Sequence, residues 1–271
     1  METARTHTGE IAPLAADAAR ATRPLAPADA RAALAEGWRD FLAKPSHNMF
    51  LALIYPLAGL VLIRAASGGA ALPLVWPLIS GFALVGPVAA IGLIEFSRRR
   101  DLGETPRWGH ALAPFGRPGG GAALRIALVL FALFVLWLAA ARGVHAVTLG
   151  PSGSGSLAAF AGRLVGTAEG WTLILLGNAL GFLFAVAVLL IGAFSLPLAL
   201  DGERSARRAM ALSARMVAAN PRAMALWGGV IGAGLAASIT LGLVGLAVAL
   251  PVFAHATWRL YRRAFPAGAP R

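Results

Sequence analysis

One apolar stretch, residues 72–96, limits more than any other feature what this chain can fold into. It contains a single ionisable residue, Glu95, and the three arginines at 98–100 follow it almost at once. About 20 apolar residues in a helix are enough to cross the roughly 30 Å hydrocarbon core of a bilayer. Arginines concentrate on the cytoplasmic side of membrane helices. The stretch therefore predicts a membrane-spanning helix whose C-terminal end lies in the cytoplasm.

The composition of the whole chain extends this prediction beyond one helix. Hydrophobic residues make up 58% of the 271 residues and charged residues only 13%, whereas soluble domains contain about 25% charged residues. The net charge of +12 is in the range of nucleic-acid-binding proteins. The arginines stand in short segments between apolar runs, however, so we expect no nucleic acid partner. The chain has no cysteine, which excludes disulfides, thiolate-bound metals and cysteine nucleophiles.

The apolar runs predict an all-α membrane protein with six transmembrane helices. In this prediction residues 1–28 form a disordered cytoplasmic tail, residues 29–265 the membrane domain, and residues 266–271 a second cytoplasmic tail. The spans lie near residues 48–64, 72–96, 124–141 and 171–200, with the last two inside residues 223–258. The long outer loop is expected to carry a short interfacial helix near residues 157–165, and Pro197 is expected to kink the inner end of the fourth span.

Length and charge together favour two short spans within residues 223–258. A single helix of that length would extend about 54 Å at 1.5 Å per residue, far beyond a bilayer core of about 30 Å. Two spans that turn near residues 240–245 put both termini inside. Of the basic residues, only Arg64, Arg142 and Arg163 then lie outside, as the positive-inside rule favours. A re-entrant element in this region is the alternative.

Two amphipathic helices are predicted on the cytoplasmic side. The first, near residues 34–44, has an apolar face of Leu34, Trp38, Phe41 and Leu42, opposite Glu36, Arg39, Asp40 and Lys44. Such a helix either lies in the membrane interface or packs on the cytoplasmic ends of its neighbours. The second, near residues 201–220, carries Arg204, Arg208 and Arg215 on one face. We expect the lipid bilayer, and anionic lipid in particular, to be the partner of both helices.

Prolines used as anchors indicate a parallel internal repeat. Arg39 and Arg215 each lie six residues before a proline, and arginine pairs at 98–99 and 262–263 each begin eleven residues after a proline. The repeat units cover about 29–100 and 204–264, joined by the spans at 124–141 and 171–200. Each unit reads as an amphipathic helix, an outward span, an inward span and an arginine pair. Parallel repeats are found in transporters and also in proteins without transport activity.

Several blocks of the sequence resemble a known family. They are GWRDF at 37–41, GFALVGP at 81–87, EFSRRR at 95–100, EGW at 169–171, SLP at 195–197 and HATWRLYRR at 255–263. In this order they resemble the bacterial integral membrane proteins grouped as domain-of-unknown-function family 2189, over about residues 30–265. The resemblance implies a multi-span protein of the bacterial inner membrane. It implies no activity and no catalytic residues.

Four polar residues inside the predicted spans are the candidate sites. Ionisable groups within spans mark function by default, which singles out Glu95 and His255, although both lie close enough to the cytoplasmic end to be wetted. Asn178 is expected to bond a neighbouring helix rather than a substrate. Because Glu95 and Arg259 occupy equivalent positions of the repeat, we predict an ion pair between them, with His255 beside it. The alternative is that Glu95 pairs locally with Arg98 or Arg99 while Arg259 extends to the lipid headgroups.

No pattern of catalytic or metal-binding residues emerges from the sequence. The five histidines form neither an HExxH motif nor a pair four residues apart, and the serines form no GxSxG motif. We therefore expect no cofactor, no metal and no enzymatic activity. The favoured function is a non-enzymatic membrane protein that organises the membrane or binds lipid or protein partners. A transporter or channel for a small solute is the alternative.

Overall fold

The computed structural model describes residues 22–43, 90–150, 157–240 and 245–266, and no strand occurs in these ranges. The first predicted span and most of the second lie outside them, as do both predicted tails, apart from a few residues next to the first and last helices. The α-helices are α1 Pro27–Ala43, α2 Ile91–Asp101, α3 Gly120–Thr148, α4 Leu157–Gly166, α5 Ala168–Gly192, α6 Ser195–Leu200, α7 Ala206–Ala219, α8 Pro221–Thr240 and α9 Leu246–Ala264. The predicted all-α fold is confirmed for this part of the chain.

Two helical stretches are long and apolar enough to cross a membrane, and both were predicted as spans. They are α3, with 29 residues, and the 33 residues of Ala168–Leu200 that contain α5 and α6. A core helix of a soluble protein of this length would be mostly buried. Here only 28% and 6% of the most apolar part of the two stretches are buried, and many large apolar side chains, such as Leu128, Phe131 and Leu175, are exposed. Lipid is the solvent that suits such a surface.

The details predicted around the fourth span are also found. The helix is interrupted at Ala193 and Phe194 before α6 begins, four and three residues before Pro197. Proline has no N–H to donate to the carbonyl four residues earlier, which is that of Ala193. At the opposite end, α4 covers the predicted interfacial helix. The Arg163 side chain of α4 donates a 2.6 Å hydrogen bond to the Leu149 carbonyl just after α3.

Helices α8 and α9 form the antiparallel pair that was predicted in place of one long helix. Helix α8 ends at Thr240 and α9 begins at Leu246. Gly245 lies so close to α8 that a Cβ atom there would be 2.8 Å from the Cα atom of Ser238. Farther along, the rings of Trp227 and Phe253 meet edge to face at 6.4 Å. The chain therefore turns back on itself at the predicted place.

Helix α1 packs on protein, which was one of its two predicted positions. Its buried residues are Ala30, Ala33, Gly37, Asp40 and Phe41, and they lie mainly against α9 and α8. A Cβ atom on Gly37 would be 2.6 Å from the Cβ atom of Ala256, which shows how closely the backbones approach. Trp38 and Leu42, which share the predicted apolar face with Phe41, are 45% and 53% exposed. Small residues form the contact because only they allow this approach.

The ends of several helices meet at one end of the molecule, which we call the basic end. It is where α2, α6 and α9 finish and α3 starts. The Tyr261 hydroxyl donates a 2.8 Å hydrogen bond to Asp201, and a Cβ atom on Gly119 would overlap the Ala199 carbonyl. The segments predicted to be cytoplasmic are thus brought together. The anchors Pro45 and Pro87 of the first repeat unit lie outside the described residues, so the repeat stays a prediction.

Candidate functional site at the basic end

Arg259 lies at the centre of a charged cluster that joins three helices. Its guanidinium donates two hydrogen bonds of 2.9 Å to the Asp40 carboxylate on α1, in the bidentate geometry that makes such pairs strong. It also contacts the carboxylate of Asp101 at the end of α2, and the Trp258 indole donates a 2.6 Å hydrogen bond to the same carboxylate. Arg259 therefore ties α9 to α1 and α2 at once.

The predicted ion pair between Glu95 and Arg259 is wrong. Helices α2 and α9 do pack together, but Asp101 rather than Glu95 reaches Arg259. Glu95 is fully buried and accepts hydrogen bonds of 2.8 Å from both Arg98 and Arg99, three and four residues later on the same helix. Residues three and four apart lie on the same face of a helix, so both arginines can compensate the charge of the carboxylate. The alternative that Glu95 pairs locally with Arg98 or Arg99 is what the structure shows. Arg259, which that alternative extended to the lipid headgroups, is engaged by two carboxylates instead.

A third arginine completes the surroundings of Glu95. Arg117, just before α3, donates a hydrogen bond of 3.0 Å to one carboxylate oxygen and lies 2.8 Å from the other. We call this group of Arg98, Arg99 and Arg117 around Glu95 the arginine cage. Arg99 also contacts Glu104. With three arginines and one glutamate, the cage carries a net positive charge. Its central carboxylate is inaccessible to solvent.

A cleft of about 210 Å³ opens beside the arginine cage. Its charged lining residues are Arg98, Arg117 and Asp201. The remaining lining is formed by the turn before α3, the first residues of α3 and the end of α6. The cleft therefore places two cations and one anion around a single space at the basic end.

His255 and Ser97 form a buried hydrogen-bonded chain with Asp40. The Ser97 hydroxyl donates a 3.0 Å hydrogen bond to Asp40 and lies 2.7 Å from Nδ1 of His255. The hydroxyl has one proton, so the histidine must donate from Nδ1. Nε2 is then an acceptor, and it has no partner in the described part of the chain. Ser97 and His255 are both fully buried, so the expectation that Glu95 and His255 are wetted is wrong for both residues.

This chain of Asp40, Ser97 and His255 does not have the arrangement of a catalytic triad. In a triad the histidine accepts the proton of the serine and the carboxylate orients the histidine. Here the serine hydroxyl donates its hydrogen bond to the carboxylate rather than to the histidine, and it has no exposed surface. Within the described ranges, no three histidine, aspartate or glutamate side chains lie close enough to hold a metal ion. The cluster holds helices together rather than presenting a reactive group.

A second pair of charges fastens α1 along α9. Arg263 donates hydrogen bonds of 3.0 and 2.7 Å to the two carboxylate oxygens of Glu36. The hydrogen bonds from Arg263 hold the pKa of Glu36 below its usual value, and those same bonds raise the pKa of Arg263. Both side chains are partly exposed, so water screens this pair more than it screens the Asp40–Arg259 pair.

Helix α7 lies across the C-terminal end of α5 with a basic face turned outward. The Ser213 hydroxyl donates a 2.8 Å hydrogen bond to the Leu190 carbonyl and accepts one of 3.1 Å from the Phe194 amide. The outward arginines are Arg204, Arg207 and Arg215, and Arg222 continues them at the start of α8. No ion pair engages these four within the described residues. Arg208, predicted on this face, is instead paired with Glu203.

Asn178 is the one candidate residue that lies away from the basic end. It is exposed and donates a 2.7 Å hydrogen bond to the Ile174 carbonyl of its own helix. Among the residues that the structure describes, it has no hydrogen bond to a neighbouring helix, in contrast to our prediction. A side-chain amide on a lipid-facing surface satisfies part of its hydrogen-bonding capacity this way.

Comparison with known proteins places part of this architecture in a family. The family described as "Predicted integral membrane protein (DUF2189)" matches residues 75–201. We call the matched residues 75–201 the DUF2189 region. The chain has no match among curated proteins or among solved structures. The resemblance noted in the sequence is thus confirmed over residues 75–201.

The DUF2189 region contains both apolar candidate spans and almost the whole cleft. Glu95, its three arginines and Asp201 all lie inside it. Asp40, His255 and Arg259 lie outside it, so the Arg259 cluster joins the DUF2189 region to the flanking helices α1 and α9. Sequence reasoning found Glu95, His255 and Arg259 but missed Asp40, Ser97, Asp101 and Arg117 as their partners. Asp40 was assigned to the polar face of α1. The sequence signal that could have identified it as a partner is its position next to Phe41, on the side of the helix that packs.

Proposed function

We propose that this is a non-enzymatic protein of the bacterial inner membrane that binds anionic lipid at its basic end. It has six spans and cytoplasmic termini in this proposal, and it organises lipid rather than transforming a substrate. The observation that carries the proposal is the row of exposed arginines on α7 and at the start of α8, laid across the inner end of an apolar span. Arginine near an anionic membrane surface contributes about 1 kcal/mol of attraction.

The position of α7 supports a role at the membrane surface. Ala206, Ala209, Ser213, Met216 and Val217 are buried against the ends of α3, α5 and α6. The outward face therefore lies where the apolar helices leave the hydrocarbon core, which is the depth of lipid headgroups. Arginine without an internal carboxylate partner is suited to phosphate, because its guanidinium presents paired N–H donors.

The state of the polar groups supports a non-enzymatic role. The serine and histidine that meet at the basic end are enclosed and have no exposed surface. The charged side chains there are used in pairs that cross-link helices, as in the contacts of Arg259 with α1 and α2. A protein built around such pairs provides a fixed platform on which lipid can collect.

Lipid selectivity of the reconstituted full-length protein tests the proposal. Spin-labelled phosphatidylglycerol and phosphatidylcholine report, by electron spin resonance, which lipid is held in the shell around the protein. The double variant Arg215→Gln/Arg222→Gln should lose at least half of the preference for phosphatidylglycerol, because two surface charges are removed. High salt should weaken the wild-type preference in the same direction.

The matched control is Arg215→Lys/Arg222→Lys, which keeps both charges at the same positions. It should retain the wild-type preference for phosphatidylglycerol. A glutamine variant with unchanged lipid selectivity would show that the outward face of α7 does not contact anionic lipid, and the proposal would fail.

A further inference from the structure

We propose that two copies of this chain associate through α5, with the Asn178 side chain of one copy hydrogen-bonded to the Asn178 side chain of the other. The partner is a second copy in the same orientation, related to the first by a two-fold axis along the membrane normal. The inference needs only that α5 crosses a membrane. It is independent of the lipid-binding face proposed for α7.

The amide of Asn178 is a polar group that lipid cannot satisfy. Asn178 is exposed and lies ten residues after Ala168, the first residue of α5. At 1.5 Å per residue this is about 15 Å along the helix, close to the middle of a hydrocarbon core of about 30 Å. An asparagine amide has two N–H groups and a carbonyl oxygen, and one N–H is donated to the Ile174 carbonyl. The other N–H and the oxygen have no partner among the described residues, and hydrocarbon offers none.

The two unused groups of Asn178 complement those of a second Asn178. In a pair related by a two-fold axis, each amide donates its second N–H to the carbonyl oxygen of the other, so both copies are satisfied at once. Asparagine side chains hydrogen-bond across helices in membranes. A single asparagine in an otherwise apolar seam between helices also fixes their register. A second copy therefore supplies what Asn178 lacks.

Asn178 belongs to a row of exposed side chains that has the spacing of a helix–helix seam. The row follows the chain at intervals of four, three, four and three residues, and it consists of Trp171, Leu175, Asn178, Phe182 and Ala185. Coiled-coil seams have this alternation of intervals. The three large apolar members, Trp171, Leu175 and Phe182, are 54%, 68% and 68% exposed. We call these five residues the Asn178 row.

The same chain uses other sides of α5 for its own packing. The ring of Trp137 on α3 lies 5.6 Å from that of Phe184, and a Cβ atom on Gly181 would be 3.1 Å from the Trp137 ring. At the C-terminal end, Ser213 of α7 bonds the Leu190 carbonyl. The Asn178 row points away from both contacts and is open to a second copy.

A second exposed row on α5 provides an internal comparison. Each of its members directly follows a member of the Asn178 row, about 100° further round the helix. The members are Thr172, Leu176, Ala179 and Leu183. Its one polar side chain, the Thr172 hydroxyl, donates to the Ala168 carbonyl of its own helix. Lipid alone suits this second row, so we expect association through the Asn178 row and not through this one.

Cysteine cross-linking in the membranes of expressing cells tests the assignment, because the full-length chain has no cysteine. Leu175→Cys and Phe182→Cys should each give a disulfide-linked dimer with copper phenanthroline, since residues on a two-fold seam face their own copies. The matched controls are Leu176→Cys and Leu183→Cys, which are exposed at nearly the same depths and should remain monomeric. Equal cross-linking of the two rows, or none in the Asn178 row, overturns the proposal.

Asn178→Leu tests whether the amide holds the two copies together. The dimer fraction is measured in liposomes at several protein-to-lipid ratios, by energy transfer between copies labelled at Gly162→Cys. Loss of the reciprocal hydrogen bonds should weaken self-association by about tenfold. Asn178→Gln, which keeps both kinds of group, should retain part of the association. Ala179→Leu, which adds the same side chain in the second row, is the control and should associate as the wild type does. Unchanged association of Asn178→Leu overturns the proposal.

The same measurements detect the other possible occupants of the Asn178 row. If lipid alone covers it, the wild type stays monomeric at every protein-to-lipid ratio, and the proposal fails. Ser80 of the predicted second span is a polar group of the same chain. If it is the partner, the double variant Ser80→Cys/Asn178→Cys forms a disulfide within one monomer, and the proposal fails as well. The glutamine variants at Arg215 and Arg222 should leave the dimer fraction unchanged, so the proposed function and the association can fail separately.

Discussion

At the scale of single residues, each charged side chain pairs with the opposite charges that its position in the fold brings within reach. Glu95 pairs with Arg98 and Arg99 on its own helix, so its charge is compensated without Arg259. Asp101 at the end of α2 and Asp40 on α1 contribute the carboxylates that Arg259 needs. The pairing of Glu95 was predictable as an alternative from its spacing. The pairing of Arg259 was not, because it depends on how α1 and α9 pack.

A double-mutant cycle tests this pairing. Asp40→Asn and Arg259→Gln, alone and together, should show a coupling of about 1–3 kcal/mol in the free energy of unfolding, as for residues in one ion-pair network. Removal of Asp40 alone should be costly, because it leaves Arg259 with one carboxylate in a poorly hydrated place. The measurement is denaturant unfolding of the protein in detergent micelles.

The same cycle with Glu95→Gln and Arg259→Gln is the control. These residues share no partner, so their effects should add within about 0.5 kcal/mol. If Glu95 were coupled to Arg259 as strongly as Asp40 is, the two carboxylates would not belong to two separate clusters, and the pairing described above would be contradicted. Glu104→Gln, which removes an exposed partner of Arg99, should change stability by no more than about 1 kcal/mol.

At the scale of helices, the sequence pattern located the elements better than it oriented them. The helices at 157–165 and 171–200 and the turn near 240–245 were found from length, proline and polar residues. The apolar face of α1 was predicted without a choice between the membrane interface and the neighbouring helices, and its large residues did not mark the contact, because Trp38 and Leu42 are exposed whereas Ala33 is buried. In a protein with lipid around it, large apolar side chains face outward as readily as inward, and small residues mark the contact between helices.

Substitution of Gly37 measures how much the close approach of α1 and α9 contributes. Gly37→Ala places a Cβ atom 2.6 Å from the Cβ atom of Ala256, so the helices must separate, and overpacking of this kind costs about 1–3 kcal/mol. The melting temperature in detergent should fall. Gly232→Ala in α8 is the matched control, because a Cβ atom there meets nothing within 4 Å.

The control should behave in the opposite way. Alanine is favoured over glycine inside a helix by about 1 kcal/mol, so Gly232→Ala should leave the melting temperature unchanged or raise it. If Gly37→Ala were as stable as Gly232→Ala, α1 would not be packed on α9 at the distance described here.

At the scale of the whole molecule, charge placement and helix packing give the same division into two ends. The segments rich in arginine were predicted to be cytoplasmic, and those within the described residues meet at the basic end. Arg142 and Arg163, predicted to lie outside, are at the opposite end of α3 and in α4. Hydropathy and charge are properties of the chain itself, which is why this division was predictable. The cleft was not predictable from the sequence, because its lining comes from segments about a hundred residues apart.

A cysteine accessibility map tests both the packing and the orientation, and the absence of native cysteine gives it a clean background. Thr105→Cys follows α2, and Pro266→Cys follows α9, so both lie at the basic end and should behave alike. Gly162→Cys, in α4 at the other end, has open space around its Cβ position. In intact spheroplasts an impermeant maleimide should label Gly162→Cys alone, and the other two should react only after lysis. Different behaviour of Thr105→Cys and Pro266→Cys would contradict the packing. Labelling of both from outside, with Gly162→Cys protected, would leave the packing intact and reverse the orientation inferred from the arginines.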